Sequence, residues 1–333
     1  MEFQFTHNDV MHEFFWKLLN PLHRLIIPYP SAHDTNLRRL ALLHTKCMNQ
    51  PVFENSPKVT ILGTSDQVGV ALLRRLLAGD AQVFASRHVT SVPLTHSHLT
   101  WFTADLTQQP LILPNPTSVV FSTVNITLLP QHIPQLASQH VQHIIALSST
   151  SVMTKSKSPN KKEQLEAQAI HRAEKELQKQ CAAFGIAFTI FRPSLIYGYG
   201  LDLNITLLDN MIKRYSIFLF PGKGKGKRAP THADDVAQVM LSAFINPISR
   251  NKIYSIEGGD VMTMRDIVTF LFHRYHKKPR IFQLESLPKI FEYFPFGPFN
   301  SETILRMERD MLFDDSQARS ELGYDPRPFS LDY

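Results

Sequence analysis

Between Lys58 and Gly69 the chain reads KVTILGTSDQVG. A short apolar, β-branched run stops at Gly63, and a segment rich in Leu and Ala follows. That order is strand, glycine turn, helix, the unit that aims free helix N–H groups and a partial positive charge at a phosphate. Glycines in such a turn let the backbone approach a pyrophosphate closely. Here the spacing is Gly63, Asp66, Gly69, with a carboxylate where a middle glycine would stand. At a helix N-terminus an Asp is a good N-cap, worth about 1 kcal/mol. As a cap it would take the N–H groups a pyrophosphate needs, and its charge would repel the phosphates. Other chemistry-bearing residues are less pointed. The 15 histidines fall in no H-x-x-x-H or Cys/His cluster, so a metal is not expected. Asp234 and Asp235 follow Thr231 where acids complement a helix dipole, a structural role.

The surrounding elements alternate. Strand 58–62 precedes a helix near 67–78 and strand 81–86. Further apolar runs are Leu99–Phe102, Ser118–Phe121 and His143–Leu147. A long polar helix over roughly 161–184 should stop at Gly185, followed by strand 187–191. A helix near 234–246, a strand at Lys252–Ile256 and a helix opened by Thr263 with Asp266 complete the pattern. Such alternation predicts a parallel sheet with helices on both faces. Before it, Asn8 could cap a helix whose Met11, Phe14, Phe15, Leu18 and Leu19 share one face, ended by Pro21. That helix either packs on the main domain or lies at a membrane surface, since Trp16, Lys17, His23 and Arg24 suit a headgroup boundary.

Pro (22) outnumbers Gly (13) in the 333 residues, so Gly63 and Gly69 are not compositional noise. With 43% hydrophobic residues the chain can bury a large core. Cys47 and Cys181 form no metal-like or CxxC spacing, which fits a reducing compartment. No apolar run reaches the roughly 18–20 residues a bilayer requires. Acids at Glu2 and Asp9, without a basic n-region, argue against a signal peptide. A cytoplasmic protein is expected, membrane-associated if residues 8–20 form the interfacial helix. The net charge of +6 favours anionic partners. The lysine-rich stretches Lys155–Lys162 and Gly222–Arg228 read as solvated loops, and neither is a Walker A motif.

By Arg192 the motifs suffice for a comparison. From Lys58 to the C-terminus the chain resembles the extended short-chain dehydrogenase/reductase family, in its NAD-dependent epimerase/dehydratase branch. The resemblance rests on ILGTSDQVG, on ADL at Ala104–Leu106 and on SSTSV at Ser148–Val152. FRPSLIYG at Phe191–Gly198, HADDVA at His232–Ala237 and FDDSQARSELGYDPRPF at Phe313–Phe329 complete it. It implies an α/β fold: a Rossmann-like, doubly wound parallel sheet over 57–195, rejoined by 230–258. A smaller C-terminal substrate region within 196–333 and an N-terminal helical extension over 1–56 would flank it.

The resemblance also implies site residues. Gly63, Ser65, Gln67, Val68 and Gly69 would form the nucleotide turn, and Asp105 with Leu106 would meet the adenine end. Ser122 and Thr123 would pass under the cofactor, and Pro193 and Ser194 would touch its nicotinamide side through backbone atoms. Arg87, followed by His88, stands where the family uses a base for an adenosine 2′-phosphate, which argues for NADP over NAD. For catalysis the family needs a Ser, then Tyr-x-x-x-Lys on a helix. Ser149 matches the serine, and the helical pair falls on His171 and Lys175. The tyrosine, ordinarily near pKa 10, is replaced by histidine, ordinarily near 6.5. A neutral imidazole accepts a proton at pH 7 more readily than it gives one, which favours oxidation over reduction. Ser149 would orient the substrate, His171 would move the proton and Lys175 would hold the ribose.

The expected function is thus an atypical NAD(P)-dependent epimerase/dehydratase or oxidoreductase on an anionic small molecule, such as a nucleotide sugar. A homodimer is expected, and no specific nucleic acid. The rival is a catalytically silent Rossmann protein that binds a nucleotide, a protein or a membrane.

Overall fold

The computed structural model describes residues 53, 56–87, 95–108, 110–156, 158–220, 222–283 and 306–331. The proposed helix over 8–20, His88 and Cys47 lie outside them. Strand β1 (Lys58–Leu62) has Val59 to Leu62 buried, the continuous apolar run of a strand covered on both faces. Helix α1 (Gln67–Ala78) follows, with Leu72, Leu73 and Leu76 in the core. The other main strands are β2 (Gln82–Arg87), β3 (Leu99–Thr103), β4 (Val119–Ser122), β5 (His143–Leu147), β6 (Ala187–Pro193) and β7 (Lys252–Ile256). They form one parallel sheet in the order β7-β6-β5-β4-β1-β2-β3. The chain runs outward from β1 to β3, then crosses back to β4 and builds the other half. The reversal leaves a crevice between the carboxyl ends of β1 and β4, where open α/β sheets bind ligands.

Helices α2 (Ile133–Ser138), α3 (Ser151–Thr154) and α4 (Lys161–Phe184) lie between β4 and β6 in the chain. Asn160 caps α4 by accepting the N–H groups of Lys162 and Glu163, and Gly185 ends it in the left-handed conformation at φ 68°. Beyond β6, α5 (Ile205–Tyr215) precedes α6 (Ala233–Ile245), and α7 (Met264–Arg274) follows β7. Thr263 and Asp266 form a reciprocal capping box on α7. Ile205, Leu208 and Ile212 of α5 share a separate hydrophobic cluster with Ile267, Leu271 and Phe272 of α7. Helix α8 (Ser316–Leu322) returns to the main core through Ala318 and Leu322.

Charged groups pin these layers together. Arg75 of α1 donates to both carboxylate oxygens of Asp234 at 2.8 and 2.7 Å, and Arg327 bonds both Asp234 and Asp235. Burial alone would raise the Asp234 pKa, but the two guanidiniums overcome it and hold the carboxyl well below the usual range. The acids at 234 and 235 therefore join α1, α6 and the C-terminal segment, besides complementing a dipole.

Just beyond β7, Glu257 is 6% exposed and its Oε1 has no hydrogen-bond partner. Burial pushes its pKa from 4.5 to about 7; the Phe313 N–H opposes the rise and the nearby Asp315 charge adds to it. A raised carboxyl means the folded chain holds the proton more tightly than the unfolded one. The stability this contributes is full below pH 4.5 and is lost as pH rises through about 7. Glu257→Gln is expected to flatten that part of the profile, read from urea unfolding at about pH 5 and about pH 8.

Candidate functional site

The nucleotide turn forms as the spacing predicts. Gly63 takes φ +94°, and a Cβ there would lie 2.7 Å from Thr123 Oγ1. A Cβ on Gly69 would lie 2.0 Å from the Gly63 carbonyl oxygen, so the helix packs directly on the turn. Asp66 caps α1: its Oδ1 accepts the N–H groups of Val68 and Gly69, both at 2.8 Å. Its Oδ2 accepts from Thr123 Oγ1 at 2.7 Å, so a residue at the end of β4 also holds it. Ser65 is exposed and Gln67 half-buried at the first position of α1.

The structure gathers the residues expected around an adenosine at the strand ends. Arg87 closes β2, half-buried, and Asp105 lies just past β3 with its carboxylate exposed. Asp105 Oδ1 accepts from the N–H and hydroxyl of Thr107. Leu106 is buried, and its carbonyl accepts from Gln131 Nε2 at 2.7 Å. Ser122 closes β4 at 1% exposure, and its Oγ has no hydrogen-bond partner. An orphaned hydroxyl at the switch point suits a ligand placed over β4. Arg87, Asp105 and Ser122 thus stand at the carboxyl ends of β2 to β4, while Asp66 occupies the N–H groups a pyrophosphate would need.

At the ends of β5 and β6 the assembled group differs from the expected one. Ser149 is half-buried, and its Oγ accepts from the Ser151 N–H at 3.1 Å. Next to it, Ser148 Oγ donates to Glu174 Oε1 at 2.6 Å. Glu174 is 1% exposed and receives Arg192 in a two-pronged ion pair, with Nε–Oε1 at 2.8 Å. His171 Nδ1 lies 3.9 Å from Glu174 Oε2, its side chain 49% exposed. His171 thus reaches the end of β5 through Glu174 and Ser148.

Lys175 lies on α4, with Pro193 and Ser194 at and just past the end of β6. The inward stripe of α4 is Glu163, Ala167, Ala173, Glu174, Leu177 and Cys181. Lys175 is about 100° round the helix from Glu174, away from that stripe, and is exposed. It shares a face with His171, which is likewise exposed. Pro193 and Ser194 also use their backbone internally. The Pro193 carbonyl accepts from Thr150, and the Ser194 N–H donates to the Ile256 carbonyl.

The lysine-rich stretches are more structured than solvated loops. Lys223, Lys225 and Lys227 are exposed, while Gly224, Gly226 and Arg228 are buried between them. Glu308 Oε1 accepts the N–H groups of Lys223 and Gly224, and Asp310 accepts that of Lys227. The Arg228 guanidinium donates to the carbonyls of Lys227, Arg309 and Arg306. Burial, with Arg306 nearby, pushes its pKa down to about 10. Lys155 pairs with Glu166 at 3.9 Å. Among the described residues, no helix is long and apolar enough to cross a membrane.

A doubly wound parallel sheet with a glycine turn at its switch point defines a Rossmann-type α/β protein. The chain matches the NAD dependent epimerase/dehydratase family over residues 125–256, from the end of β4 through β7, which bears out the resemblance read from the motifs. A curated relative, the uncharacterised protein y4nG of Sinorhizobium fredii, is 28% identical over 151 residues, 43% of this chain. The chain matches only 37% of that relative's length. Among solved structures, MoeE5 in complex with UDP-glucuronic acid and NAD superposes with a TM-score of 0.64 at 18% identity. That match covers 82% of this chain and 94% of the other. UDP-glucuronic acid 4-epimerase from Bacillus cereus, in complex with NAD, gives 0.62 at 16% identity and the same coverage. At these identities the superpositions show a common fold.

Proposed function

We propose that this chain is an atypical NAD(P)-dependent epimerase/dehydratase or oxidoreductase that acts on an anionic small molecule of the nucleotide-sugar class. The observation that carries the reading is the family match over 125–256, which encloses Ser149, α4 and the ends of β5 to β7. The fold neighbours support the substrate class, having been captured with UDP-glucose or UDP-glucuronic acid and NAD. When bound, the nicotinamide supplies hydride exchange with a substrate carbon. The protein's own part is positioning and proton transfer. Ser149 Oγ orients the substrate hydroxyl, and His171 Nε2 takes its proton, since Nδ1 faces Glu174. The Glu174 carboxylate then stabilises the imidazolium formed. Lys175, one turn along the same face of α4, would hold the ribose.

Arg87 would hold the 2′-phosphate of NADP. NADPH is then expected to bind about tenfold more tightly than NADH, and Arg87→Asp to erase or invert the ratio. Nicotinamide fluorescence titrations measure it; equal affinities in the unmodified protein would remove Arg87 from the site.

A second reading, a silent Rossmann protein, draws on Asp66 in the pyrophosphate seat and on the outward Lys175. Assays with UDP-glucose and UDP-glucuronic acid separate the two. Conversion, lost on removing His171, supports the enzyme; a folded protein that converts neither supports the silent reading.

A further inference from the structure

Every donor that this turn offers to an anion at Val68 and Gly69 is already bonded to a carboxylate of the chain itself. Asp66 Oδ1 takes both N–H groups at 2.8 Å, while Oδ2 takes the Thr123 hydroxyl at 2.7 Å. The hydroxyl of Thr123 has one proton, which the Gly63 carbonyl also attracts, so the turn, the cap and the end of β4 form one linked unit. Helix α1 packs directly on the turn. Gly69 sits so close to the Gly63 carbonyl that even a Cβ would lie 2.0 Å from it. A pyrophosphate arriving at this helix end must therefore displace the carboxylate, and until it does, two negative groups face each other at one dipole end.

We infer that Asp66 is the resident anion of this Rossmann turn, an internal competitor that holds the pyrophosphate seat closed and makes dinucleotide binding conditional on its release. The inference rests on the NAD(P) reading above and adds to it a device for controlling that site. Asp66 engages none of the residues placed at the ends of β2 to β4 for the adenosine, Arg87, Asp105 and Ser122, in the bonds it makes at the turn. A ligand with adenosine and no pyrophosphate has no such competitor to displace.

The test is titration of NADH and NADPH into the full chain, followed by nicotinamide fluorescence. Asp66→Ser keeps an uncharged cap and Asp66→Gly removes the side chain; melting temperatures show that each is folded. Adenosine serves as the probe without a pyrophosphate. Both variants are expected to bind the dinucleotides at least about tenfold more tightly than the unmodified protein, with adenosine affinity unchanged within about twofold. Equal dinucleotide affinity in all three proteins would overturn the inference and leave the NAD(P) reading standing. Absence of dinucleotide binding in all three, with the variants folded, would overturn both. Equal tightening of adenosine and dinucleotides would also overturn it, because the effect would not belong to the pyrophosphate seat.

Discussion

Replacing Arg192 by leucine is expected to lower the stability of the fold by about 3–5 kcal/mol, the cost of leaving a buried charge without its partner. Glu174 is 1% exposed, and Arg192 meets both of its carboxylate oxygens. Ser148 Oγ–H is left as a donor to one oxygen only. That charge-assisted bond is present before and after the change, so it does not replace the ion pair. The double variant Arg192→Leu/Glu174→Leu removes the charge with its partner and should recover most of the loss. Urea unfolding of the two single variants and the double closes the cycle. A loss below about 1 kcal/mol in Arg192→Leu would mean that Glu174 does not depend on this pair.

Replacing His171 by alanine is expected to reduce turnover about 10²- to 10⁴-fold, the usual range for loss of a positioned general base. Stability should change by no more than about 0.5 kcal/mol, because the side chain is half exposed and lies outside the core. The two readouts separate a proton carrier from a structural residue. His171→Tyr places the family's usual acid at the same point and should keep activity with a displaced pH optimum. Lys175→Ala should weaken cofactor binding with little change in stability, since that side chain is exposed on the face of α4 that carries His171. A large loss in Lys175→Ala with none in His171→Ala would reverse these assignments.

Much of the fold is readable residue by residue. Val59 to Leu62 announce a strand covered on both faces, Gly185 a helix stop, and Thr263 with Asp266 a helix start. Each is a local signal, decided within a few residues by backbone geometry. The Asp66 cap is legible for the same reason, but its second anchor is not. Thr123 is 57 residues away and meets Asp66 only because β4 pairs with β1. Glu174 is hidden in the same way, since its partner Arg192 is on the next strand. The spacing of His171 and Lys175 shows that they are neighbours on a helix, not which face turns inward. The inward stripe settles that, and it holds two carboxylates, Glu163 and Glu174, so apolar periodicity reads it poorly. In Gly222–Arg228 the charge is visible from sequence, while the acids that engage its backbone, Glu308 and Asp310, come from a distant segment.

The most direct test of the account is incubation of the full chain with UDP-glucuronic acid or UDP-glucose and NAD or NADP, with the sugar followed by proton NMR. Asp66→Ser and His171→Ala are run alongside. The unmodified protein is expected to convert the sugar, Asp66→Ser to convert it faster at limiting cofactor, and His171→Ala to lose at least about 100-fold. No conversion by the unmodified protein or by Asp66→Ser, with both folded and the cofactors saturating, would contradict it.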